Sequence, residues 1–217
     1  MIPAAFDYVR AGSVDEAVGL LGEHGDEAKL LAGGHSLLPL MRLRLASPGV
    51  VVDLGRIDEL RGVREQGDEL AIGAMTTHYQ LTKDPLIAEH CPILAAVTET
   101  VGDPQVRHRG TLGGAAAHGD AAGDQPTTLL ALDATMVAQG PDGRREIAAA
   151  DFFTGVFETA LAEDEVLVEI RVPKVTDWGY DYQKFNRVGP AWAIVGVAAL
   201  VRRENGGIAE ARVALTP

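Results

Sequence analysis

Two glycine pairs are the residues of this chain best placed to do chemistry. Gly33 and Gly34 stand in Ala32-Gly33-Gly34-His35-Ser36, directly after a short apolar run, Ala28 to Leu31. Gly113 and Gly114 stand in Thr111-Leu112-Gly113-Gly114-Ala115-Ala116-Ala117, eighty positions later. Glycine tolerates positive φ and lets another group approach the main chain closely. Successive N–H groups in such a loop form a concave anion nest, which suits a pyrophosphate. Ser36 and Thr111 add hydroxyl donors. Each loop alone reads equally well as a tight turn. Two loops rich in small residues favour a dinucleotide lying between two lobes.

The competing signatures are missing. The chain has no G-x-G-x-x-G, no G-x-x-x-x-G-K-[ST], no H-E-x-x-H, no C-x-x-C and no G-x-S-x-G. Dinucleotide dehydrogenases of the Rossmann type, P-loop enzymes, zinc proteases and serine hydrolases lose their usual support together. Cys91 is the one cysteine, so this chain alone supplies neither a disulfide nor a cysteine-held zinc or iron–sulfur site.

The elements that must position the loops follow from periodicity. Ser13 and Glu16 have the spacing of a capping box, and Val14, Ala17, Val18 and Leu21 recur at helical spacing up to His24-Gly25. Ala28 to Leu31 and Val50 to Leu54 read as buried strands, with a helix over Leu37 to Leu45 between them. Gln66-Gly67-Asp68 joins a hairpin from Leu60 to Gly73. Thr76 and Thr77 can cap a short helix, and Pro92 to Val101 reads as a longer one. Asp103 to Asp124 has little periodicity. Pro126 marks a helix start, running through Leu132. Thr135 to Gln139 and Arg144 to Ala148 form another hairpin, and Val166 to Val172 alternates as a strand does. Strands over Tyr180 to Arg187, Trp192 to Arg202 and Ile208 to Leu215 close the chain. Helices and strands mix without a βαβ repeat, which predicts an α+β fold.

The 217 residues carry 19 Lys+Arg against 31 Asp+Glu, a net charge of −12. That field repels nucleic-acid backbones and anionic lipid surfaces. The start of the chain shows no secretory signal. The longest strongly apolar run, Ala191 to Val201, is too short for a helical membrane span. A cytoplasmic location is expected, with peripheral association at the inner face of the membrane left open.

At this point a resemblance enters. Lys29-Leu30-Leu31-Ala32-Gly33-Gly34-His35-Ser36-Leu37-Leu38-Pro39-Leu40-Met41-Arg42 resembles the first flavin loop of the FAD-binding subunits of molybdenum hydroxylases. Ile72 to Thr77, Val106 to Gly114 and Tyr182-Gln183-Lys184-Phe185 match in order and spacing. The similarity is greatest to the medium subunits of aerobic carbon monoxide dehydrogenases and runs from about Pro3 to the last residue.

The resemblance implies a two-lobed FAD-binding domain of the vanillyl-alcohol oxidase type over residues 1–175, with lobes of about 1–56 and 57–175. A partial, truncated antiparallel α+β domain over 176–217 would follow. It implies FAD held at its pyrophosphate by Ala32, Gly33, Gly34, His35 and Ser36, flanked by Leu30 and Leu37, and by Gly110, Thr111, Gly113, Gly114 and Ala115. Asp124 would bond the polar part of the flavin, while Leu167, Lys184 and Trp192 would lie at its ring. A β-carbon at Gly33 or Gly113 is expected to block FAD. No side chain need act as nucleophile. Electrons would come from an iron–sulfur small subunit and pass to a quinone or another acceptor. A molybdenum-binding large subunit would complete a dimer of heterotrimers, with both metal centres outside this chain.

The residues keep their other readings beside this one. His35 acts through its backbone rather than its side chain. Asp124, two residues before Pro126, also suits a helix cap. Lys184 also suits a solvated strand, and Trp192 plain packing. Arg107, His108 and Arg109 read first as a surface or partner-facing patch, and Cys91 as a small buried hydrophobe. The chain departs from the family pattern at His118, Gly119 and Val188 to Ala191. Those departures motivate two alternatives: an assembly module that has lost FAD, and a free-standing FAD oxidoreductase of the same fold.

Overall fold

The computed structural model describes residues 2–216. The first unit comprises β1 (Asp7–Arg10), α1 (Val14–His24), β2 (Ala28–Leu31), α2 (Leu37–Leu43) and β3 (Val50–Asp53). Its three strands are parallel, in the order β1-β3-β2. Val50, Val51 and Val52 are all buried, as the central strand of a parallel sheet covered on both faces demands. Helix α1 buries Val14, Ala17, Val18 and Leu21, the predicted stripe, and ends at Gly25 with φ +51°. Its capping box is half formed. Ser13 Oγ accepts from the Glu16 N–H at 3.1 Å, but the Glu16 carboxylate reaches past Ser13 to the Gly12 N–H at 2.7 Å.

The second unit is larger. It contains β4 (Val63–Gln66), β5 (Glu69–Gly73), α3 (His78–Leu81), α4 (Pro85–His90), α5 (Pro92–Glu99), α6 (Pro104–Arg109), α7 (Leu112–His118) and α8 (Asp124–Ala131). It continues with β6 (Thr135–Gly140), β7 (Gly143–Ala148), α9 (Ala149–Phe152), the small hairpin β8 (Phe153–Gly155) and β9 (Glu158–Thr159), and β10 (Val166–Pro173). Five strands make one antiparallel sheet, β4-β5-β10-β6-β7. One face, with Ile72, Met136 and Ile170, packs on Ile93, Leu94, Leu112 and Leu129 of the helices. The other, with Val137, Val166 and Val168, packs on Val14, Ala17 and Val52 of the first unit. The sheet is therefore the wall that both layers share.

The last three strands, β11 (Gly179–Phe185), β12 (Val195–Glu204) and β13 (Gly207–Leu215), form a separate antiparallel sheet in that order. Asn205 and Gly206 both take positive φ in the turn between β12 and β13, the geometry a two-residue hairpin needs.

Three expectations are corrected. The stretch from Asp103 to Asp124 holds two helices, α6 and α7. Asp103 and Thr111 cap them, accepting from the Val106 and Gly114 N–H groups. Their alanines, glycines and polar residues give no hydrophobic stripe, so periodicity missed them while the caps were there to read. Helix α8 starts at Asp124 rather than at Pro126. Trp192 lies outside the strand it was expected to begin, because β12 starts at Val195.

Candidate functional site

The two glycine loops lie against each other where the first unit meets the second. Strand β2 delivers the first loop: Leu31 C=O still accepts from the Leu54 N–H at 3.0 Å, and the chain then turns through Gly34 at φ +78° into α2. Thr77 and Thr111 form an antiparallel bridge that fixes the start of the second loop. Around it the Leu112 N–H donates to Thr76 C=O at 3.0 Å, and the His78 N–H to Gly110 C=O at 2.9 Å.

The loops differ in what their amides do. Among the described residues, the N–H groups of Gly33, Gly34, His35, Ser36 and Leu37 donate to no protein acceptor. Five successive unpaired donors are the nest an anion requires. In the second loop nearly every amide is already bonded. Gly110 donates to Val106 C=O at 2.7 Å, Gly113 to Ala74 C=O at 2.9 Å, Gly114 to Thr111 Oγ1 at 3.1 Å and Ala115 to Thr111 C=O at 3.0 Å. These amides are engaged within the protein, and the row of free donors lies in the first loop. Thr111 caps α7, and capping occupies its hydroxyl oxygen as an acceptor.

The glycines also have a different reason from the expected one. A β-carbon on Gly33 would stand 2.3 Å from Arg109 C=O and 2.8 Å from Gly110 Cα. One on Gly113 would stand 2.4 Å from Ala74 Cβ. Both clashes are with the protein itself: Gly33 lets the first unit pack against the second, and Gly113 lets α7 pack closely on the chain after β5. Gly110 is held close to the His78 ring, 2.8 Å from its Cδ2 to an added β-carbon.

His78 is a residue that sequence reasoning missed. It is buried, with Nδ1 unpartnered, where α3 meets the second loop. Burial first, then the proximity of His35 and Arg107, lowers its pKa to about 4. It is thus a neutral imidazole at ordinary pH. The only signal was its place directly after Thr77, the helix cap.

The residues expected at the flavin ring make these contacts within the protein. Lys184 Nζ donates to Asp124 Oδ2 at 2.8 Å and to Thr100 C=O at 3.2 Å, and both charged side chains are buried. Tyr182 donates its hydroxyl to the other Asp124 oxygen. Burial and the adjacent carboxylate push the Tyr182 pKa upward, so it stays a donor. Asp124 does not cap α8, whose N-cap is Gly123. It clasps the last sheet to α8. The alternation Tyr182, Lys184 put both side chains on one strand face, a signal available in the sequence. Leu167 is buried and packs in the second unit's core. Trp192 is 65% exposed, which excludes core packing, and it lies before β12, which starts at Val195.

The remaining calls resolve simply. Leu30 packs against the first unit's core, and Leu37 begins α2. His35 is exposed beside the nest. Arg107 donates to Val101 C=O at 2.9 Å and ties off the end of α5, while His108 stacks on Tyr79 with ring centroids 4.0 Å apart. Cys91 is buried, and burial pushes its thiol pKa up to about 12, as for an inert hydrophobe. At the departures from the family pattern, His118 packs on Phe157 and Gly119 takes φ +62° to end α7. Among the described residues no cluster of metal-ligating side chains occurs, and no helix is long and apolar enough to cross a membrane.

Comparisons with known proteins bear on this geometry. Residues 4–175 match the family described as the FAD binding domain in molybdopterin dehydrogenase. The carbon monoxide dehydrogenase medium chain of Hydrogenophaga pseudoflava is 47% identical over 217 residues, all of this chain and 76% of that relative. The nicotine 6-hydroxylase medium subunit of Paenarthrobacter nicotinovorans is 40% identical, over 97% of this chain and 74% of its own length. A structure of the Hydrogenophaga pseudoflava carbon monoxide dehydrogenase superposes with a TM-score of 0.98 at 48% identity, covering 100% of this chain and 76% of that one. Quinoline 2-oxidoreductase from Pseudomonas putida 86 superposes at 0.94 with 36% identity, covering 99% and 75%.

Proposed function

We infer, from the premise that this chain belongs to the FAD-binding domain family of molybdopterin dehydrogenases, that it is the flavin subunit of a multi-subunit molybdenum hydroxylase resembling carbon monoxide dehydrogenase. The observation that carries the reading is the row of five unpaired amides from Gly33 to Leu37. Their donors suit the pyrophosphate of FAD, and hydrogen bonds from backbone N–H to an anion are the strong, charge-assisted kind. FAD, when bound, supplies the capacity to take electrons singly and pass them on.

This chain's residues bind and orient. The first loop offers the donors, Thr111 and the packed second loop form the opposite wall, and Ser36 adds a hydroxyl. Asp124 and Lys184 hold the last sheet to α8, which fixes where Trp192 is presented. We assign residues 1–175 to the FAD-binding domain and 176–217 to a C-terminal one. The family match over 4–175 and the separate last sheet support that division.

One cysteine cannot ligate an iron–sulfur cluster. Electrons must therefore arrive from a partner chain, and the metal centres belong to iron–sulfur and molybdenum subunits. The names of the relatives, a medium chain and a dehydrogenase complex subunit, support partners of that kind. We extend this to a dimer of heterotrimers located in the cytoplasm.

A second reading has its own observation. The bonded amides of Gly110 and of Leu112 to Ala115 would also suit a module that keeps the fold without FAD. Purification separates the two. A yellow protein that releases FAD on denaturation supports the flavin subunit. A colourless protein that takes up no added FAD overturns it.

A further inference from the structure

A cavity of about 220 Å³ lies away from the two glycine loops, lined by Glu59, Leu60, Arg64, Arg144, Val168 and Glu169. Its floor is apolar, because Leu60 and Val168 belong to the core shared with the first unit. A short 3₁₀ turn over Asp58–Leu60 carries the floor and is fastened to the end of β5. The Met75 N–H donates to Leu60 C=O at 2.7 Å, and the Gly73 N–H to Gly62 C=O at 3.0 Å. A β-carbon on Gly73 would stand 2.4 Å from the Leu60 carbonyl, so the turn sits directly on the strand.

An irregularity in β10 supplies the charged wall. Val166 and Val168 face the first unit, while Leu167 faces the helices. Strict alternation would turn Glu169 to the helices as well. The bulge between Leu167 and Glu169 turns it instead to the side of Val168, and re-aiming a side chain is what bulges do.

Glu169 is 6% exposed. Its Oε1 accepts from Arg171 Nε at 2.7 Å, and its Oε2 accepts from Arg64. Burial alone would raise its pKa, but the bonds from Arg171 and Arg64 outweigh burial and lower it, so a fixed carboxylate holds Arg64 in place. Arg144 is held by Nε, which donates to Gln139 Oε1 at 2.8 Å. Its two terminal nitrogens make no protein hydrogen bond among the described residues. The Glu59 carboxylate accepts none among them either, and it lies 4.0 Å from Arg144. One cation and one anion thus face the cavity with unused hydrogen-bonding capacity, side by side over an apolar floor. The lining holds two arginines and two glutamates, so a ligand of a single sign is attracted by one pair and repelled by the other.

We propose that this cavity binds a small zwitterion with an aliphatic body, an α-amino acid of about leucine size. Its carboxylate meets the guanidinium forks of Arg144 and Arg64, a geometry suited to two parallel hydrogen bonds. Its ammonium meets Glu59, and its side chain lies on Leu60 and Val168. The volume is below that of drug-sized sites, which matches a ligand this small. The site does not depend on the flavin reading, because none of its residues stands in either loop or lines the cleft beside them.

Calorimetric titration of the purified full chain with L-leucine tests it. The expected result is saturable binding. Arg144→Gln and Glu59→Gln should each weaken it about tenfold or more, as loss of a hydrogen bond to a charged group does. Arg42→Gln, an exposed change on α2 outside this cavity, should leave it unchanged. Circular dichroism confirms that each variant is folded. 4-Methylpentanoate lacks the ammonium and 3-methylbutylamine lacks the carboxylate, so both should bind more weakly than L-leucine. Absence of saturable L-leucine binding, wild-type affinity in Arg144→Gln or Glu59→Gln, or equal binding of either one-charge analogue overturns the proposal.

Discussion

A β-carbon on Gly33 would lie 2.3 Å from the carbonyl oxygen of Arg109, so the two halves of the candidate site touch through bare backbone. The obstacle is main chain on a capped helix, which cannot swing aside as a long side chain can. Gly33→Ala should therefore cost about 1–3 kcal/mol of stability, the usual range for overpacking. Gly22→Ala, in α1 with nothing within 4 Å of the added carbon, should instead stabilise by about 0.5–1 kcal/mol. Urea unfolding of both variants checks the pair. Equal midpoints would mean the loops are not held at this contact.

The buried Lys184–Asp124 pair should behave asymmetrically. Lys184→Met leaves the Asp124 carboxylate buried with only the Tyr182 hydroxyl for company, and removal of one partner of such a pair costs about 3–5 kcal/mol. The double variant Lys184→Met/Asp124→Leu removes both charges and should recover most of that loss. Denaturation midpoints of the two singles and the double form the cycle. A double variant no better than the worse single would show that the clasp does not depend on the charge pair.

His78 predicts a pH dependence. Its folded pKa of about 4 lies below the ordinary 6.5. Between those values the unfolded chain binds the extra proton, so stability rises with pH across that window. The contribution is complete above 6.5 and is lost as pH falls towards 4, by roughly 3 kcal/mol. His78→Gln should flatten the stability curve in that interval. Chemical denaturation at intervals from pH 7.5 to 4 reads this directly, and an unchanged slope would place the titration on other groups.

How much was legible differs by element. Helix α1 and strands β2, β3 and β10 were readable because their apolar residues follow the period of the structure that buries them. Helices α6 and α7 were not, because small residues leave no stripe and only Asp103 and Thr111 marked them. Trp192 misled: it heads an apolar run, yet the ladder with β11 reaches only to Val195.

By itself the sequence determined the α+β class, the acidic field, the lack of a cysteine set for a metal cluster, and the two glycine loops with their resemblance to a flavin-binding family. These are properties of composition, local period and short motifs, which need no neighbours. Only the tertiary structure decided which loop has free donors. Whether an amide is free depends on acceptors far along the chain: Ala74 takes the Gly113 N–H, and nothing takes those of Gly33 to Leu37. The same holds for Asp124, whose partners lie about sixty residues away on another sheet, and for Arg64, Arg144 and Glu169, which meet at one cavity. No local pattern encodes such meetings, because folding brings them together through packing of the shared central sheet.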